Sequence, residues 1–239
     1  MTRVLFAGFA SVIVGLVGCT ESNSDAVIAQ YQRGEDAIAA GSGADFLATM
    51  TPECAEQLEQ AVVLAMRASE EEVKALGPSQ MGLVVALRNR VPIGRLRMMD
   101  PQDVLTWQIE QGMLIVDKEY DVVPMSVVVR ANQAEMQMGV KVQRSSRTRI
   151  GRRGLGLATG LISGSIGGSK VEKIDGLVHT FRRIGETWYA DFQADQASYD
   201  TSFIRAANQE RIPVWEAVSQ EEEDAFGSIK PEIWSPQAD

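Results

Sequence analysis

Histidine is nearly absent from this 239-residue chain, with His179 the single instance. One imidazole excludes a histidine-cluster metal centre and leaves at most one imidazole base. Cysteine is almost as scarce, limited to Cys19 and Cys54. If Cys19 is committed elsewhere, no intramolecular disulfide can form and stability rests on an ordinary core. Positive charge is also short, at 23 Lys+Arg against 32 Asp+Glu, a net −9. Such a balance argues against general nucleic-acid binding. No serine-centred elbow, paired-carboxylate signature or metal-ligand motif occurs, so neither a metal nor a cofactor is expected.

What is present begins at residue 1. In MTRVLFAGFASVIVGLVGC, Arg3 precedes an uncharged, mostly apolar run from Val4 to Val17, which meets Gly18 and Cys19. This is the layout of a secretory signal with a small-residue cleavage site. The competing reading is an uncleaved anchor helix, for which the apolar run is short. The ending Leu16-Val17-Gly18-Cys19 resembles the lipobox of bacterial lipoproteins. That resemblance implies a signal peptide over 1–18, a diacylated Cys19 as mature N-terminus, and a short tether over 19–24. Two or more acyl chains hold a protein stably on a bilayer. Thr20 stands where aspartate would signal retention, so the resemblance implies an outer-membrane lipoprotein facing the periplasm. Loss of Arg3 with the signal leaves 22 Lys+Arg against 32 Asp+Glu, a net −10.

The N-terminal half reads as helices. Ser24 or Asp25 can cap one running to about Ala40, stopped by Gly41, and a short turn follows near Asp45–Met50. Thr51-Pro52-Glu53 supplies a cap, an N1 proline and a first-turn acid for a helix carrying Cys54, Leu58, Ala61, Val62, Ala65, Val73 and Leu76. Gly77-Pro78 ends it, Ser79 to about Arg90 forms another, and Asp100-Pro101 opens one that stops at Gly112. The period then changes. Met113–Val116 and Met125–Val129 read as strands, and Met136, Met138, Val140 and Val142 alternate with Gln137, Gly139, Lys141 and Gln143. Leu177–Arg183 and Thr187–Phe192 around Gly185-Glu186 read as a hairpin. Helices first and an antiparallel sheet second predict an α+β fold, over residues 25–192. Residues 193–239 are expected to add one helix near Tyr199–Glu210, an acidic run Glu221–Asp224 and a loosely ordered end.

AIAAGSGADFLATMTP, residues 37–52, resembles the first-helix and turn region of nuclear transport factor 2-like proteins, and FRRIGETWYADF, residues 181–192, resembles their closing hairpin. The resemblance spans about residues 25–192. It implies a bent sheet wrapped by helices around a conical pocket, a frame that serves isomerases, dehydratases, binding modules and assembly parts, so it does not assign an activity.

Residues 145–172 depart from that pattern. From Met136 to Val171 there is no acidic residue, while Lys141, Arg144, Arg147, Arg149, Arg152, Arg153 and Lys170 are present. Within the same stretch Gly156, Gly160, Gly164 and Gly168 recur every four residues, which in a helix makes one smooth face. Three readings stand: a flexible insertion, since glycine disfavours helix; a segment against a membrane or matching helix, with arginines on lipid phosphates; or a phosphate cradle. The last fails on spacing, because Gly154 to Gly160 carries one residue too many for GxGxxG and Gly168-Ser169-Lys170 is not a P-loop. The partners expected are thus a membrane through the N-terminal lipid and an anionic lipid or envelope protein at 144–170.

Two further candidates are weighed. His179 could act as a base if its strand face lines a pocket and a carboxylate such as Asp191 lies near; a packed imidazole is the plainer reading. Cys54 sits on an apolar helix stripe and reads as core, against a reactive thiol. The expectation is a non-enzymatic, membrane-tethered envelope lipoprotein that binds a ligand or partner; the alternative is an isomerase- or dehydratase-type pocket enzyme using His179.

Overall fold

The computed structural model describes residues 22–114, 121–142, 163–166 and 169–236. The chain is α+β, as the change of period near Gly112 predicts. Helix α1 (Asn23–Ala39) is capped by the Ser22 hydroxyl, which accepts from Asp25 N–H, rather than by Ser24 or Asp25 as expected. Gly41 ends it at φ +70°. Helix α2 (Gly43–Leu47) follows from a Ser42 cap, and α3 (Glu53–Arg67) starts after Pro52.

The long helix expected from Glu53 to Leu76 is two helices. Ala68 is extended, and Ser69 opens α4 (Glu70–Lys74) with a capping box to Glu72. The reciprocal bonds of Ser69 and Glu72 satisfy the donors that a helix start would otherwise orphan, so the apolar spacing continues across a break. Helices α5 (Pro78–Arg90), α6 (Ile93–Leu96) and α7 (Pro101–Glu110) complete the first half. Met113 and Leu114 are not in a strand, and the rest of the Met113–Val116 expectation lies outside the described residues.

The sheet comprises β1 (Val122–Arg130), β2 (Gln133–Val142), β3 (Ser163–Ile166), β4 (Ser169–Ile184) and β5 (Thr187–Ala190). Its order is β1-β2-β4-β3, with β5 also on β4, and every strand pair is antiparallel. Residues 163–166 and 169–172 therefore belong to strands rather than to the insertion expected over 145–172. Between β2 and β4 the register jumps from Gln137↔Val178 to Gly139↔Lys173. The Gln137 amide fills that gap by donating to Ile174 and Leu177 carbonyls, each at 2.9 Å. The expected hairpin is β4–β5, but Phe192 does not extend it: it begins α8 (Phe192–Glu210), which Asp191 caps.

Two hydrophobic cores result. One joins α1 to the sheet: Val27 packs with Val122, Ala134, Met136, Met138, Phe181 and Trp188. The other is helical and includes Leu58, Ala65, Met81, Leu87, Leu105 and Trp107. Val218 of α9 (Val214–Phe226) and Ile233 of the 3-10 turn Pro231–Trp234 belong to it as well. The acidic run Glu221–Asp224 thus lies within α9, and the end of the chain, expected to be loosely ordered, reaches the helical core through Ile233. The cores meet at a seam where Ala190 exchanges main-chain hydrogen bonds with Thr49 (2.9 Å) and Thr51 (3.0 Å).

Helical packing is close in places. Gly43 approaches α7 so nearly that its N–H donates to Thr106 Oγ1 at 3.2 Å. Arg88 is fully buried. It donates to the carbonyls of Leu64 (2.9 Å) and Ala65 (2.8 Å) in the last turn of α3, to Ala68 just beyond it, and to Ile233 (3.0 Å). A cation at a helix C-terminus meets the negative end of its dipole and the carbonyls that the helix leaves unpaired. Burial nevertheless lowers the Arg88 pKa, because removal from water penalises the charged form.

Candidate functional site

Strand β4 sets His179 on the face directed at α1, with Leu177 and Phe181, whose partner across the sheet is Ala134. The His179 ring lies against Tyr31 of α1, centroids 5.8 Å apart and tilted by 32°. Its Nδ1 is 3.4 Å from Asp195 Oδ2. The other oxygen, Oδ1, accepts the Thr180 N–H at 2.8 Å. The ring is half-buried, wedged between α1 and the first turn of α8.

The carboxylate beside His179 is therefore Asp195 and not Asp191. Asp191 is occupied elsewhere: its Oδ1 accepts from Ala194 N–H as the α8 cap, and its Oδ2 lies 3.5 Å from Arg182 Nε. Arg182 also donates from Nη2 to Glu53 Oε2 at 2.6 Å, tying the N-terminus of α3 to that of α8 across the seam. The Glu53 carboxyl is held below its ordinary range, mainly by a main-chain hydrogen bond at its own residue and also by Arg182. Asp195 stands four residues after Asp191, one helical turn on, so it reaches Thr180 and His179 only because the helix begins at Phe192. Reading that residue as the end of a strand concealed the pairing.

Chemically, an aspartate on Nδ1 can orient an imidazole and favour the tautomer that leaves Nε2 as acceptor, and it stabilises the imidazolium if the ring is protonated. The same aspartate clamps α8 to β4 through Thr180. The second clamp on α8 is Asp200, which accepts the Ser79 N–H at 2.7 Å and so caps α5 from outside its own chain segment. Sequence spacing gives no signal for that bond.

Of the other candidates, Cys54 is buried in the helical core, its Sγ 3.2 Å from Met50 Sδ. Burial pushes its thiol up to about 12, so at neutral pH it is a thiol rather than a thiolate. Cys19 and Arg144, Arg147, Arg149, Arg152 and Arg153 lie outside the described residues, as do Gly156, Gly160 and Gly168. Gly164 pairs with Val171 within β3–β4 and so sits in a strand, not on a helical glycine face. Among the described residues no group of three or more His, Cys, Asp and Glu side chains is placed to hold a metal ion. Nor is any described helix long and apolar enough to cross a membrane.

No family model, curated protein or solved structure matches the chain. The reading of function therefore rests on its own residues.

Proposed function

We propose that the protein is a lipid-anchored module of the bacterial cell envelope that binds a ligand or partner without catalysing a reaction. The observation that carries this reading is the placement of Leu16-Val17-Gly18-Cys19 immediately before a folded body: α1 begins at Asn23, four residues after Cys19. Four residues reach at most about 14 Å. Residues 26–31 of α1 pack on the sheet, while Gly34 approaches Phe46 and Thr49 near the helical body. An acylated Cys19 would hold the sheet end of the molecule close to the bilayer. In sequence the arginine-rich stretch begins at Arg144, two residues after β2 ends at Val142, and its charge suits anionic headgroups.

The envelope reading is tested by intact mass and by fractionation. The mature protein should begin at an acylated Cys19, and Cys19→Ala should leave the membrane fraction; a variant still firmly membrane-bound overturns the proposal. Unlipidated protein from Thr20 onward should bind vesicles of acidic lipid at low salt, where each basic residue contributes on the order of 1 kcal/mol. Serine at Arg147, Arg149, Arg152 and Arg153 should abolish that binding and leave folding unchanged.

The approach of Asp195 to His179 supports a second reading, an isomerase- or dehydratase-type enzyme with His179 as base. The companion role of Asp195 as the clamp on Thr180 favours structure over catalysis. The two readings separate on His179→Gln, which leaves ligand binding intact in a binding module and eliminates turnover in an enzyme.

A further inference from the structure

After Gly227, at φ +93°, the chain leaves α9 and crosses the helical body as the segment Ser228-Ile229-Lys230-Pro231-Glu232-Ile233-Trp234-Ser235-Pro236. Its attachments are those of a peptide in a groove. Ile233 is fully inserted, at 1 % exposure, with Ile229 and Trp234 partly inserted and Ser228, Lys230, Glu232, Ser235 and Pro236 exposed. Two side chains of α5 hold its main chain rather than its side chains. Arg88 Nη1 donates to the Ile233 carbonyl at 3.0 Å, and Asn89 Oδ1 accepts the Lys230 N–H at 3.2 Å. Trp234 meets Trp215 of α9 edge-on at 5.8 Å, and the Lys74 ammonium lies over both rings, 4.1 Å and 5.2 Å from their centroids.

Each side of the groove also has contacts outside the segment. The Arg88 fork stays fixed by the α3 carbonyls of Leu64 and Ala65, and Asn89 also donates to Glu222 at 3.2 Å. Glu222 in turn is gripped by Arg90, which stacks on Phe226 with Cζ 3.2 Å from the ring centroid. A preformed donor and acceptor aimed at a main chain, beside an apolar slot and an aromatic wall, recognise an extended peptide by backbone plus two or three anchors. Two prolines in nine residues restrict the segment when free and lower the cost of binding it. The glycine conformation at residue 227 supplies a hinge that other residues adopt at a cost.

We infer that residues 228–236 are a resident peptide ligand of this groove, and that the groove takes the same segment from a second copy of the chain when its own is withdrawn. The occupant is set by the register already on the molecule: Ile233 in the slot, Trp234 on Trp215, and the carbonyl of residue 233 on Arg88. Exchange between copies requires no new contacts, only release at Gly227.

The first test uses the unaltered protein. Amide hydrogen exchange should show the Ile233 and Ser235 amides, bonded to Lys230 and Glu232 carbonyls, opening far more often than those in the middle of α5. Equal protection overturns the inference, because the segment would then unfold only with the body. The second uses the double variant Ile233→Asp/Trp234→Ser, with a fluorescent peptide of residues 228–236 as probe. The opened variant should keep cooperative unfolding and bind the peptide saturably. The unaltered chain should bind it at least roughly tenfold more weakly, since its tethered copy competes at an effective concentration near the millimolar range. Asn89→Ala in the opened background should weaken binding. Loss of folding in the opened variant, no binding to it, or equal binding to both chains each refutes the exchange.

Discussion

A single carbon atom decides what Gly43 tolerates. A Cβ there would fall well under 3.0 Å from the Gln102 carbonyl oxygen and from Thr106 Oγ1 and N, two of them main-chain atoms that cannot swing aside. Gly43→Ala should therefore force α2 from α7 and destabilise by about 3 kcal/mol. Gly82, inside α5 with no atom within 4 Å of its Cβ position, gives the opposite sign. Gly82→Ala should stabilise by about 1 kcal/mol through helix propensity alone. Urea unfolding of the two variants, compared at constant slope, checks both. Ala131 sits at φ +53° in the β1–β2 turn, where a Cβ meets the carbonyl beside it. Ala131→Gly should add about 1 kcal/mol. For Cys54, raised by burial, the protein from Thr20 onward, in which it is the one cysteine, should resist a thiol reagent at pH 8 and react at one equivalent only on unfolding; prompt native reaction would contradict its placement in the core.

Among the elements, helix starts were the most legible. Asp100-Pro101-Gln102-Asp103 places a cap, a proline and an acid where orphaned amides require them, and α7 begins there; α3 begins one residue later than Thr51-Pro52-Glu53 implies, with Pro52 rather than Thr51 at the cap position and no side-chain cap bond. The break at Ala68 was not seen, although Ser69-Glu70-Glu71-Glu72 carries a capping-box pattern, because Leu58, Ala65 and Val73 continue one apolar stripe across it. Contacts between distant residues left no local trace: Asp200 capping α5, Arg90 gripping Glu222, and Asp195 rather than Asp191 beside His179. Ser69→Ala should cost about 1 kcal/mol. The Glu72 carboxyl accepts the Ser69 N–H at 2.7 Å, which holds its pKa below the usual 4.5. A carboxyl depressed by folding stabilises above its unfolded-state pKa, and this contribution is lost as pH falls through the folded value. Glu72→Gln should thus flatten the decline in stability below about pH 4.5, which denaturant titrations from pH 7 to pH 3 would measure.

At the scale of the molecule the α+β class was readable from the change of period, whereas the division into two cores was not. The sequence expectation joined residues 25–192 into one domain, but α2–α7 complete their core with Val218 and Ile233, far down the chain. Binary patterning records which face is apolar and not which other face it meets. The seam at Thr49, Thr51 and Ala190 predicts two opening units in hydrogen exchange. Arg182→Ala, which removes the link from Glu53 to Asp191, should lower protection across that seam and leave both interiors protected; uniform loss throughout would mean one cooperative body. The chain positions of the two cores also impose an order on a polypeptide delivered N-terminus first. Everything the sheet core uses, from Val27 to Trp188, has arrived before α9 emerges, while α3, α5 and α7 must wait for Val218 with apolar surface still uncovered. On a nascent chain the residues of the sheet core are thus all present while the helical half is still incomplete, and that half is where a holding chaperone would find its grip.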